Sequence, residues 1–380
     1  MKSFIYADNA ATTRLDDKAL SSMMPFLTEE YGNSSQPYTF GRYSKKALSE
    51  ARTRIASCIG ADAKEIYFTS GGTESNNWVI KSLVEQKSID VIITSCIEHH
   101  SVLNSCDAVS NFVKVIKLPV NKHGEVSCNT LKSALELEVN KHSDTCRVLV
   151  SIMTANNEIG TIEPIKELAE ISHSYGALFH TDAVQAIGHI DINVVDLGVD
   201  FLSASAHKFN GPKGTGFLYV RQGVELNPYI DGGAQESSKR AGTENVASVV
   251  GMSIALQNNI ANLADNMSYI SRLDEMLLQQ LNESHLDYVK NGSDNHIPGN
   301  ISLSIKNSDG EMLLHRLDLK GICISTGSAC DSVNTQVSHV IKAIGVDPEY
   351  SKGTIRISLG KYNSVDDIKT IVKELINVFS

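Results

Sequence analysis

Between Ile66 and Val220 the chain repeats one pattern: a short apolar run rich in β-branched and aromatic residues, then a longer stretch of mixed, helix-compatible composition. The runs are Ile66–Thr69, Val91–Thr94, Val148–Met153, Ala177–His180, Phe201–Ala204 and Gly216–Val220. Strand and helix alternating over this length predict an α/β fold with a mostly parallel sheet covered by helices, in which ligands sit at the carboxyl ends of the strands. From Val246 a helical stretch runs towards Leu281, and a second strand set (Ile301–Ile305, Ile322–Ile324, Thr354–Ser358) predicts a smaller α+β domain. The expected division is a large domain over 14–257 and a small C-terminal domain over 258–380 that includes the N-terminal segment 1–13. No internal repeat or low-complexity tract interrupts the chain.

A length of 380 residues leaves room for roughly two to three domains, and an ordinary composition excludes disordered and fibrous classes. The net charge of −10, with one short basic cluster from Arg42 to Lys46, gives no electrostatic basis for sequence-specific nucleic-acid binding. Met1 to Arg14 lacks an apolar signal core, and no membrane-length apolar run occurs, so a soluble, cytoplasmic protein with no membrane partner is expected. The seven cysteines are scattered without a C-x-x-C pair. A reducing compartment fits them better than a disulfide framework or a zinc ribbon, and one of them is open to a catalytic role.

Several segments at the expected strand ends carry chemistry. Thr69-Ser70-Gly71-Gly72-Thr73-Glu74 opens a helix-compatible stretch, so its backbone N–H groups and hydroxyls make either an anion site or an ordinary helix cap. It lacks P-loop spacing. Lys208, in Ser205-Ala206-His207-Lys208, follows a buried strand and precedes a glycine-rich turn. It is either a snorkelling surface residue or an amine able to form a Schiff base. Asp182 is either a helix cap or a carboxylate for a protonated ring nitrogen. His180 and Asp182 find no third ligand for a metal. His99, in Glu98-His99-His100, can stack on an aromatic cofactor and move protons. Joint ligation by the adjacent pair is not expected, because neighbours on a strand point apart. Cys330 sits in a run of small residues, Ser325 to Ser332, which favours an exposed thiol, while Cys323 reads as core. Arg356 is either a carboxylate clamp or a strand-edge salt bridge.

A lysine, a ring-nitrogen carboxylate, a phosphate loop, a stacking histidine and a carboxylate-binding arginine together describe pyridoxal phosphate chemistry on an amino acid. From Tyr6-Ala7-Asp8-Asn9-Ala10-Ala11-Thr12-Thr13 to Ile355-Arg356-Ile357-Ser358-Leu359-Gly360 the chain resembles the NifS/IscS-like cysteine desulfurases, in the class V aminotransferase family of PLP fold type I. The resemblance implies that 14–257 is the PLP-binding domain. It implies Lys208 as the Schiff-base lysine, Asp182 as the partner of the pyridine nitrogen, and Gln185 and Asn157 as contacts of the phenolic oxygen or substrate. Gly72, Thr73, Ser205 and His207 match phosphate ligands, and His99 matches the stacking, acid–base histidine. Thr243, in Arg240-Ala241-Gly242-Thr243, matches the residue that reaches the partner subunit's phosphate, which implies a homodimer. Arg356 and Asn33 match substrate contacts, and Cys330 in G-S-A-C matches the sulfur-accepting nucleophile. No metal is implied. The implied reaction converts L-cysteine to L-alanine and leaves a persulfide on Cys330 for a sulfur acceptor, such as an iron–sulfur scaffold protein or the transfer-RNA thiolation route. A selenocysteine lyase or another PLP enzyme of this fold shares the cofactor residues, and G-S-A-C separates them. A non-catalytic sulfur-relay scaffold would not need Lys208, Asp182 and Cys330 together.

Two departures stand out. Where the family commonly has G-N-P-S-S-x-H, this chain has Gly32-Asn33-Ser34-Ser35-Gln36-Pro37-Tyr38, and Asp331 follows Cys330 where the family often has Thr. A carboxylate beside a thiol disfavours the thiolate. Asp331→Thr is therefore expected to speed persulfide formation in single-turnover kinetics; an unchanged rate would remove any role for this charge.

Overall fold

The computed structural model describes residues 4–142, 147–326 and 337–379. Its strands are β1 (Ile5–Tyr6), β2 (Ile66–Thr69), β3 (Val91–Ser95), β4 (Lys114–Leu118), β5 (Val148–Ser151), β6 (Leu178–Asp182), β7 (Phe201–Ser205), β8 (Gly216–Val220), β9 (Tyr288–Asn291), β10 (Asn300–Ile305), β11 (Ile322–Cys323) and β12 (Thr354–Ser358). β2 to β8 form one sheet in the order β2-β8-β7-β6-β5-β3-β4. β8 runs antiparallel to both β2 and β7, and the remaining pairings are parallel. β2 therefore points the same way as β3, β5, β6 and β7. Five of the strand ends that carry the motifs meet along one edge of the sheet.

The apolar runs are continuous because both faces of the sheet are covered. Successive side chains of a strand point to opposite faces. Ile93, Val150, Leu202 and Phe217 join one core with Ile55, Phe179 and Leu256. Their neighbours Ile92, Leu149, Phe201 and Leu218 join another around Trp78, Ile80 and Leu83. The run at 114–118 was not among the expected strands. Its Lys114 and Lys117 are exposed while Leu118 is buried, so it reads as polar in sequence. It pairs only with β3 at the sheet's edge, where lysines discourage edge-to-edge association.

The helical stretch after Val246 is two helices, Val246–Ala261 and Leu263–Asn282, broken at Asn262. The first packs on helices Asp17–Thr28 and Thr39–Ile59. The second turns Ile270, Leu273, Leu277 and Leu281 into a separate core with Ile301, Leu303, Ile355, Ile357 and Ile368. The expected division at 257/258 falls inside the first of these helices. β9, β10 and β12 form an antiparallel sheet, and β1 pairs with β11 in parallel.

Residues 9–13 lace the two sheets together. Ala10 N–H donates to Ser358 Oγ at 2.9 Å at the end of β12. Thr13 N–H donates to the His207 carbonyl at 2.9 Å, just past β7. This crossing segment carries the small sheet, and Arg356 with it, to the carboxyl edge of the large one.

Candidate active site

A cavity of about 310 Å³ lies at that edge, lined among others by Ala10, Thr73, His99, Asn157, Asp182, Gln185, Ser205, Lys208 and Arg356. Lys208 does not snorkel to solvent. β7 ends in a tight turn over Ala206–Lys208, and the ammonium is turned inward, where Nζ donates to the carbonyl oxygens of Ala10 and of Ala11, the latter at 2.9 Å. Gly211 permits the turn, since a Cβ there would lie 2.7 Å from Ala206 Cβ.

Asp182 closes β6 and is buried. Its Oδ1 accepts from Val184 N–H at 3.0 Å, and its Oδ2 from Asn76 Nδ2 at 2.7 Å. Gln185 is held across the cavity floor by Nε2 donating to the Ala10 carbonyl at 2.9 Å. His180 lies fully buried beneath, between Ser151 Oγ at 2.8 Å and Ser203 Oγ at 3.0 Å. It is a packed, neutral imidazole and no ligand. No cluster of potential metal ligands exists among the described residues.

His99 caps the helix His100–Val109, its Nδ1 accepting from Ser101 N–H at 3.1 Å. Burial, with Lys208 and His100 nearby, pulls its pKa below the usual histidine value, and Asp182 works against that shift. His100 also lines the cavity and stands 4.9 Å, ring centre to ring centre, from His339. The strand geometry assumed for the pair does not apply, because a helix begins between the two residues.

The Gly72–Glu85 helix aims its N-terminus at the cavity. Gly72 lies so close to the strand-end loop that a Cβ would clash with Val184 Cγ2. Gly72, Thr73, Ser205 and His207 are shared with an adjoining opening of about 370 Å³ that also reaches Lys213. Burial, aided by Lys208 and Lys213, lowers the His207 pKa to about 4. Glu74 at the helix start is paired with Arg240, Nε to Oε1 at 2.9 Å and Nη2 to Oε2 at 3.1 Å, so its charge does not oppose an anion there.

Arg356 is 3% exposed. Nη1 donates to the Asn157 carbonyl at 2.8 Å and Nη2 to Asp8 Oδ1 at 2.7 Å. The strand salt bridge is thus real, yet Nε is buried without a hydrogen-bond acceptor. A buried unpaired guanidinium donor beside a cavity fits an arriving carboxylate.

Two expected residues are not brought into this cavity. Asn33 is exposed, with Oδ1 accepting from Ser35 N–H at 2.9 Å. Thr243 lines a separate depression with Ser70 and Gly214. Ser34 Oγ donates to Glu244 Oε2 at 2.8 Å and so ties the two segments together. Cys330 and Asp331 lie outside the described residues. The chain that precedes them ends near the cavity, where Ser325 exchanges backbone hydrogen bonds with Arg356 at 2.7 and 3.1 Å. Burial raises the pKa of each described cysteine, to about 11 for Cys58 and about 12 for Cys106, and by smaller shifts for Cys96, Cys128 and Cys323. Sequence reasoning missed Asn76, Ser101, His100 and His339. Only the helical spacing from Gly72 could have pointed to Asn76.

The class-V aminotransferase family model matches residues 5–371. The chain belongs to the class-V aminotransferase family. It is 46% identical to the cysteine desulfurase IscS of Dictyoglomus turgidum over 97% of this chain and 92% of that protein. It is 43% identical to the cysteine desulfurase IscS of Methanosarcina thermophila, over 97% and 90%. Among solved structures, a NifS-like protein superposes with a TM-score of 0.91 at 36% identity, over 99% of both chains. SspA in complex with cysteine superposes with a TM-score of 0.82 at 31% identity, over 95% of this chain and 100% of that one.

The family depends on pyridoxal 5′-phosphate, and the residues here fit it. A helix N-terminus, hydroxyls and an imidazole suit the phosphate, a buried carboxylate suits the ring nitrogen, and an inward amine suits the aldehyde carbon.

The buried His180 generates a pH prediction. Its pKa falls from 6.5 to about 3, driven by burial. A pKa depressed by folding gives stability that is whole above the unfolded value and is lost as pH falls towards the folded one. The stability advantage of the parent over His180→Asn should therefore shrink as pH drops from 6.5 towards 3, by about 1.4 kcal/mol per unit at its steepest. Urea midpoints at several pH values check this, and a pH-independent difference would contradict it.

Proposed function

We propose that this chain is a pyridoxal-phosphate-dependent cysteine desulfurase that takes sulfur from L-cysteine onto Cys330 and releases L-alanine. The observation that carries the reading is the convergence of Lys208, Asp182, His99 and Arg356 on one cavity. The similarity to proteins named cysteine desulfurase, and to one solved with cysteine, supports the choice of substrate.

Bound pyridoxal phosphate supplies an electron-withdrawing ring that stabilises negative charge at the substrate Cα. Asp182, held by two donors, keeps a carboxylate aimed where a pyridine N–H would sit. Arg356 turns the substrate by its carboxylate and so directs the Cα–H bond towards Lys208, whose Nζ takes the proton. The amine is half buried, with the carbonyls of Ala10 and Ala11 accepting its hydrogens and holding it towards the cavity. The thiolate of Cys330 then attacks the substrate sulfur. The Cβ–S bond breaks, its electron pair stays on carbon, Cβ takes a proton, which His99 is placed to supply, to become the methyl group, and Lys208 Nζ returns the proton it took to Cα to complete alanine. No external oxidant is required, because the sulfur passes to Cys330 as a persulfide while the carbon is reduced. The raised pKa values of the described cysteines support Cys330 as the nucleophile over them.

The functional unit in this reading is a homodimer. Thr243 and Asn33, whose segments are joined through Ser34 and Glu244, do not line their own chain's cavity and would serve the partner's. Leu20, Met24, Leu27, Tyr31, Tyr38 and Tyr43 expose apolar surface on or beside two neighbouring helices, which supports covering by a second copy. The net charge of −10 favours a protein acceptor, such as an iron–sulfur scaffold, over a nucleic acid. No helix among the described residues is long and apolar enough to cross a membrane, and a cytoplasmic location is part of the same proposal.

Two variants test the assignment. Lys208→Ala should lose the near-visible absorption band of the bound cofactor and its activity. Cys330→Ser should keep the band and stop sulfide release, and turnover of Cys330→Ser like the parent would overturn the nucleophile.

A further inference from the structure

Two buried polar residues, Asn76 and Ser101, link the carboxylate of Asp182 to the ring of His99. Asn76, fully buried on the Gly72–Glu85 helix, donates one Nδ2 hydrogen to Asp182 Oδ2 at 2.7 Å and the other to Ser101 Oγ at 2.8 Å. Ser101 Oγ lies 2.8 Å from His99 Nδ1, and Ser101 N–H lies 3.1 Å from the same nitrogen. Each step has one possible direction. Turned over, the Asn76 amide would set its carbonyl oxygen against the carboxylate of Asp182. Its Oδ1 is instead buried without a partner, which marks an amide placed for its donors. A backbone N–H can only donate, so Nδ1 must present its lone pair. Since Ser101 Oγ already accepts from Asn76, its single hydrogen is directed at Nδ1 as well. A neutral ring that accepts at Nδ1 carries its proton on Nε2.

We propose that Asn76 and Ser101 are positioning residues that fix His99 as the Nε2-protonated tautomer through a one-way hydrogen-bond chain anchored on Asp182. The chain gives His99 a defined donor, Nε2–H, at the wall of the cavity, and it couples the orientation of the stacking ring to that of the ring-nitrogen carboxylate. It also explains why His99 caps its helix: the N-terminal N–H of Ser101 supplies the second donor to Nδ1 and disfavours a hydrogen there. The proposal rests on the desulfurase reading only for the use made of the Nε2 proton. The tautomer itself follows from the geometry.

Neutron diffraction from deuterated crystals of the cofactor-loaded protein tests the tautomer directly. The expected result is deuterium on His99 Nε2, none on Nδ1, and the Ser101 hydroxyl deuterium pointing at Nδ1. Deuterium on Nδ1 would overturn the proposal. In solution, Ser101→Ala should lower kcat for alanine formation roughly three- to tenfold at unchanged KM, the weight of one neutral hydrogen bond, and Ser101→Thr should restore it. A Ser101→Ala variant with parental kcat would remove the positioning role. If the parent protein makes no alanine from cysteine, the desulfurase reading fails while the neutron result still decides the tautomer.

Discussion

An ammonium turned into a protein must find acceptors, and the Lys208 amine finds them in the carbonyls of Ala10 and Ala11. Much of the site's geometry follows from that contact. To bring those carbonyls to the end of β7, residues 9–13 must cross the carboxyl edge of the large sheet. In crossing, they bind Ser358 of the small sheet on one side and His207 on the other. The same Ala10 carbonyl holds Gln185. One backbone segment thus sets the positions of the amine, of a cavity-lining amide and of the strand that bears Arg356.

The sheet supplies the complementary constraint. Because β2, β3, β5, β6 and β7 share a direction, the loops after them must emerge together. The residues those loops carry are then sorted by charge. Asp182 is held between two donors, and Glu74 is neutralised by Arg240. Burial and neighbouring lysines keep His207 neutral, while burial alone keeps His180 so. What faces the cavity is mostly a set of donors, with the carboxylates of Asp182 and Glu158 among them, suited to an anionic phosphate at one end and an amino acid carboxylate at the other.

Strand positions were legible in the sequence where both sheet faces are covered, because burial on both sides demands unbroken apolar runs. β2 and β8 coincide with the expected segments, whereas β4 was hidden by its exposed lysines. Cavity residues such as Lys208 and Arg356 could be picked out from their strand-end setting and from the family resemblance. Asn76 and Ser101 could not. Each is an ordinary polar residue in a helix, and its meaning comes from contact across 25 positions with one another and across 106 positions between Asn76 and Asp182. Asn33 and Thr243 were expected at the site from resemblance, and the single chain does not bring them to its own cavity.

The central claim is that an inward Lys208 and a carboxylate-seeking Arg356 serve cysteine chemistry on pyridoxal phosphate. The most direct measurement is the near-visible absorption of the purified, cofactor-loaded protein before and after L-cysteine, with alanine assayed in the same sample. The account predicts a band that shifts on addition and alanine that accumulates with it. A band that does not respond to L-cysteine, with no alanine formed, would contradict it.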